Sequence, residues 1–194
     1  MSDRPSIYAA SPGDAAEVRR ALRICLSGME PPAALTFANG DFPAWVSRVF
    51  VPVLAPHAIR AHQMALLGDA AGLAEADRTL DLPPSSTSAG RDLLAARGGA
   101  RYLPVARRFA GAVGNGAAAG HFATVMALHA ADFSVALLPL LQCLLYCEWR
   151  AGQSGAAARG LEEFLHQAHS ILPALRALLL SHAQNPDIPV ARAL

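Results

Sequence analysis

The chain has 194 residues, is 53% hydrophobic and only 16% charged, and its 16 basic and 15 acidic side chains leave a formal net charge of +1. That balance excludes an intrinsically disordered chain, and without a basic run it removes the phosphate attraction on which nucleic-acid binders depend. A chain of this size is expected to form one domain and to bury about 70% of the surface it exposes when unfolded.

Every basic residue is arginine, and alanine is the commonest residue, in runs such as Ala117 to Ala119 and Ala156 to Ala158. Alanine is the best helix former, so the bias leans towards an all-α chain, although a GC-rich coding sequence produces the same bias. Three cysteines, Cys25, Cys143 and Cys147, behind an N-terminus without signal character lead us to expect a reducing, cytoplasmic setting. The most apolar stretch, Phe133 to Tyr146, is shorter than the ~20 residues that span a bilayer, so no membrane association is expected.

Residues 1–12, with Pro5 and Pro12, read as a flexible N-terminus. From Gly13-Asp14, Val18, Ala21, Leu22 and Cys25 fall at helical spacing, with Arg19, Arg20 and Arg23 on the opposite face, which predicts a helix ending near Gly28. Asp41 is the expected N-cap of a second, strongly buried helix bearing Phe42, Trp45, Val46, Val49, Phe50 and Val53, which Pro56 is expected to interrupt. A short third helix then runs to Gly68. Asp69 is expected to cap a fourth through Leu80, with Glu75, Asp77 and Arg78 on its exposed face.

Pro83-Pro84-Ser85-Ser86-Thr87-Ser88 reads as the clearest surface loop. Beyond it, Arg91 to Arg97 start a helix stopped by Gly98-Gly99, and Tyr102, Val105, Ala106, Phe109 and Val113 mark another that ends at Gly114-Asn115-Gly116. Four further helices are expected over His121 to Ala131, Phe133 to Arg150, Gly155 to His166 and Ser170 to His182. Residues 184–194 read as a flexible tail. No stretch alternates like a strand and no repeat recurs, so the expected fold is all-α, a single globular bundle of about eight to ten helices over residues 13–183.

The residues that bear chemistry are sparse. Cys143 and Cys147, four apart, share a helical face and offer two thiolates to a soft metal, but free cysteine inside a leucine-rich segment packs as a small apolar residue. His166 and His169 are three apart without the glutamate of a zinc-protease helix, and His121 and His129 lie two turns apart. Gly111 to Gly116 follows a helix rather than a strand and lacks the Lys-Ser or Lys-Thr ending of a phosphate loop, so it reads as a turn. These weak metal candidates form no catalytic constellation, and neither an enzyme nor a resident cofactor is expected.

Several strings, in order, resemble the UreF family of urease accessory proteins. Ser27-Gly28-Met29-Glu30, followed by Trp45, is similar to the family's Gly-Leu-Glu stretch and tryptophan-bearing helix. Gly68-Asp69-Ala70-Ala71 with Leu73, Asp77 and Leu80 resembles its mid-chain helix, and Ser88-Ala89-Gly90-Arg91-Asp92-Leu93-Leu94 its Met-Gly-Arg-x-Leu-Leu segment. Gly120-His121-Phe122 resembles its central histidine segment, Leu144-Leu145-Tyr146-Cys147-Glu148-Trp149 its Tyr-Leu-x-x-Trp helix, and Arg159 its following basic residue. The family's Pro-Leu-Gly-Gln string falls on Phe164-Leu165-His166-Gln167 in an ungapped register, which keeps Trp149 and Arg159 in place, or on Gly152-Gln153-Ser154-Gly155 in a gapped one.

The resemblance implies an all-α scaffold that assists nickel insertion into apo-urease by bridging a UreD/UreH-type partner and the GTPase UreG. It points to Glu30, Arg91, Arg159, His166 and Gln167 as partner-binding residues, where arginine forks would grip partner carboxylates. The alternatives are a maturation chaperone for another metalloenzyme, or a helical metal-binding enzyme using Cys143, Cys147, His121 and His129. Phe42, Phe50, Phe109, Phe122, Phe133 and Phe164 with 27 leucines look generous for one small core, so a homodimer or hetero-complex is expected.

Overall fold

A computed structural model describes residues 15–38, 40–96, 104–153 and 160–184. The expected loose termini, the Gly98-Gly99 stop, Tyr102, Gly155 and Arg159 lie outside the described residues. The chain is all-α: α1 (Ala15–Cys25), α2 (Phe42–Trp45), a π-helical segment (Val46–Leu54), α3 (Ala55–Leu67), α4 (Ala70–Arg78), α5 (Pro84–Ala96), α6 (Pro104–Gly114), α7 (Phe122–Asp132), α8 (Leu137–Ala151), α9 (Leu161–Ala168) and α10 (Leu172–Gln184). Because α2, the π segment and α3 run on as one helix of 26 residues, Phe42–Leu67, the described residues form nine helices and no strand.

That long helix corrects the expected break at Pro56. A proline removes an amide donor and clashes with the carbonyl four residues back, and Pro52 and Pro56 lie one turn apart. Widening the winding to the i→i+5 pattern accommodates them, as in the Ala55 amide donating to the Phe50 carbonyl. Buried residues then recur every four positions, at Phe42, Val46, Phe50 and Leu54, while Trp45, Val49 and Val53 are only half-buried. The helix is long and apolar enough to cross a membrane by length and composition, yet half of its most apolar window is buried inside the protein.

Local caps follow the sequence closely. Asp41 accepts from the Ala44 amide at 3.1 Å and Asp69 from the Gly72 amide at 2.9 Å, each satisfying a helix-start donor. Gly68 (φ 75°) closes α3 and Gly116 (φ 79°) follows α6, both in the left-handed conformation that glycine adopts without penalty. The Pro83–Ser88 stretch departs from expectation. Pro84 opens α5, where its missing amide proton costs nothing, and Ser86 is buried. The expected Phe133-to-Arg150 helix starts only at Leu137, after a turn in which Ser134 has φ 54°, and Pro139 falls in its first turn.

At the centre, α7 is buried from Phe122 to Ala131 on every side and packs against α3, α5, α1 and α8. A helix apolar all round belongs in the interior. Around it, α8 joins α1 and α10, and α4 joins α3 and α6. Phe42, Phe50, Phe109, Phe122 and Phe164 all enter this core; from the set that looked surplus, Phe133, 55% exposed, and the leucines Leu66, Leu67 and Leu180 are left outside.

Candidate functional site

Two buried carboxylates organise the polar interior. Asp77, expected on the exposed face of α4, is 0% exposed. It shares the inner face with Leu73, one turn earlier, and points at the start of α7. One oxygen accepts the Gly120 amide at 2.7 Å, and the other accepts the His121 amide at 3.0 Å and the Thr124 hydroxyl at 2.6 Å. The N-cap residue His121 offers no side-chain cap to α7, so Asp77, 43 residues from Gly120, meets the two amides that lead into the helix, against the positive end of its dipole, while the Ser86 hydroxyl of α5 accepts the Phe122 amide at 3.4 Å.

Thr124 has a single proton, and it goes to Asp77. Its oxygen, 2.8 Å from His57 Nε2, therefore accepts the imidazole N–H, which fixes that tautomer. Burial lowers the His57 pKa from 6.5 to about 4, with the Asp77 charge opposing. The relay His57 to Thr124 to Asp77 is thus neutral at its histidine end and closed to solvent. Gly90 completes the junction: a Cβ there would meet the Gly120 carbonyl and come within 2.7 Å of the Phe122 nitrogen, so α5 approaches α7 as only glycine allows. Arg91, next to it, is exposed and donates through Nε to the Ala119 carbonyl at 3.0 Å.

The second carboxylate, Glu148 on α8, accepts the Thr36 and Phe37 amides at 2.9 and 2.8 Å. Burial raises its pKa from 4.5 to about 7, opposed by those donors. Ser85 donates to the Leu35 carbonyl at 2.8 Å, and Gly152 leaves space for the Phe37 ring, which packs 5.2 Å from Phe42 and 5.4 Å from Trp45. Residues 35–37 are thereby strapped between α5 and α8, and Met29 and Glu30, earlier in the same connection, are exposed.

The sequence candidates scatter. Cys143 and Cys147 are fully buried against α1 beside Cys25, and burial pushes both thiols well above their usual pKa, so they pack rather than react. His129 lies in that neighbourhood, 2.9 Å from the Cys25 carbonyl, whereas His121 is eight residues away at the other end of α7, about 12 Å along the axis. The four residues of the metal-enzyme alternative therefore do not converge, and among the described residues no group of three or more His, Cys, Asp or Glu is arranged to hold a metal. His166, Gln167 and His169 are exposed around the end of α9, with Gln167 donating to Glu163 at 3.5 Å. Glu30 is exposed near Tyr146, whose pKa burial raises, with a smaller contribution from the Glu30 charge.

Asp77, Thr124, His57 and Glu148 were not singled out from the sequence as a site. The available signal was spacing: Asp77 lies four after Leu73, and Glu148 four after Leu144, each on an apolar face. No family model, curated protein or solved structure matches the chain.

Proposed function

We propose that the chain is a non-enzymatic maturation scaffold of the UreF type, which assists nickel insertion into urease by bridging a UreD/UreH-type partner and a UreG-type GTPase. One observation supports it above the rest: segments that resemble the family, far apart in sequence, are tied together by its two buried carboxylates. Asp77, in the string after Gly68, caps the Gly120-His121-Phe122 string, which Gly90 of the Ser88–Leu94 string abuts. Glu148, in the Leu144–Trp149 string, anchors the segment that follows Ser27-Gly28-Met29-Glu30. Shared motifs that hold one another are those a common architecture would retain.

The Asp77–Thr124–His57 network is built for rigidity, since its hydrogen bonds are made within the protein and His57 is neutral. Work at the surface then falls to Glu30, Arg91 and the pair His166 and Gln167 in the last turn of α9, and the resemblance adds Arg159, which lies outside the described residues. The test is co-purification of the chain with UreD/UreH-type and UreG-type proteins. A stable complex that weakens when Glu30 or Arg91 is changed supports the scaffold, and no complex at micromolar concentration overturns it.

A further inference from the structure

Where the end of α1, the segment after it, α8 and α9 meet, a cavity of about 290 Å³ opens at the surface. Leu22, Leu26 and Tyr146 give it an apolar floor, and Arg19 and Arg23, one turn apart, stand on its rim. The chain leaves α1 with the Gly28 amide bonded to the Arg23 carbonyl and the Ser27 amide to the Ile24 carbonyl, both at 3.0 Å. That closing pattern normally places glycine where Ser27 stands at φ 53°, and Gly28 follows at φ 79°. A non-glycine held left-handed marks a backbone fixed by its surroundings. The two turned residues carry Met29, 38% exposed, to the edge of the groove.

The exposed face of α1 carries Arg19, Arg20 and Arg23 against one acid, Glu17. Glu162 of α9 already pairs with Arg19, so this rim accepts a carboxylate, while Arg23 makes no ion pair among the described residues. An arginine fork beside an adaptable methionine and an apolar floor suits a ligand that is anionic on one side and greasy on the other.

We infer that this groove docks a partner-protein segment presenting a carboxylate beside a bulky apolar side chain, the carboxylate on Arg23 and the apolar group between Leu22, Leu26 and Tyr146. The inference rests on the scaffold reading only in taking the ligand to be a protein. The probe is an acetylated, amidated Gly-Glu-Phe-Glu-Gly peptide, titrated into the full ¹⁵N-labelled chain against its Gln-Phe-Gln counterpart. The expected result is saturable shifts centred on Arg23, Gly28 and Met29, with affinity about tenfold weaker for the glutamine peptide and about tenfold weaker in R23Q. R23Q alters an exposed side chain, and an unchanged far-ultraviolet spectrum verifies its fold.

Equal affinity for both peptides, shifts centred elsewhere, or no binding up to about 5 mM would overturn the inference. A complex with UreD/UreH-type and UreG-type proteins that forms without any response of the groove would leave the scaffold standing and remove this site. Peptide binding in the absence of that complex would do the reverse.

Discussion

Replacing Asp77 with alanine strips the acceptor from the Gly120 amide, the His121 amide and the Thr124 hydroxyl, all in the interior. The hydroxyl can turn to His57 once the imidazole changes tautomer, but the two amides at the start of α7 have no alternative. At about 1–3 kcal/mol for each buried donor left unpaired, D77A is expected to lose about 4 kcal/mol. D77N keeps one acceptor but turns an amide donor towards the helix start, and is expected to lose about 2 kcal/mol. Urea unfolding followed by the fluorescence of Trp45 and Trp149 measures both, with the slope against urea unchanged if the unfolded state is unaltered. An exposed helical aspartate would cost within about 0.5 kcal/mol, so a D77A loss that small refutes the tertiary cap.

Three further outcomes follow from the same contacts. G90A drives a methyl group into the backbone of residues 120–122, and thermal melting should show a loss of about 3 kcal/mol or insoluble protein; a wild-type melting temperature contradicts the close approach of α5 to α7. Folded Glu148 titrates at about 7 against 4.5 when unfolded, so the stability it contributes is full below pH 4.5 and falls by about 3 kcal/mol as pH rises through 7. E148Q should therefore match wild type near pH 4.5 and exceed it by about that amount at pH 8 in urea titrations, and parallel curves would argue against a buried acid. His57 and His62, both lowered from 6.5 to about 4 by burial, act in the opposite sense: their contribution is present above pH 6.5 and is lost as pH falls to 4, by about 3 kcal/mol each. H57Q, which keeps a donor for Thr124, should flatten the acid limb of wild-type stability between pH 6.5 and 4.

Periodicity located most of the helices because the outer ones bury one stripe, and the caps at Asp41 and Asp69 were legible because their partners lie three residues on. Where the sequence misled, the reason was physical. Pro84 reads as a breaker yet is favoured at a helix start, and Pro56 reads as an interruption until the winding widens at Val46–Leu54. Asp77 looked solvated, and Glu148 was not singled out, because a carboxylate belongs in water unless donors meet it. Those donors come from residues 43 to 112 positions away, a distance that spacing within one helix does not report. The surface candidates Glu30, Arg91, His166 and Gln167 were named from resemblance, and their exposure leaves them accessible to a partner.

The scaffold reading is tested most directly by mixing the purified chain with recombinant UreD/UreH-type and UreG-type proteins and measuring mass by size-exclusion chromatography with light scattering. The account predicts a single species containing all three at micromolar concentration, lost on charge reversal at Arg91 and Glu30. Separate elution of every component at that concentration would contradict it.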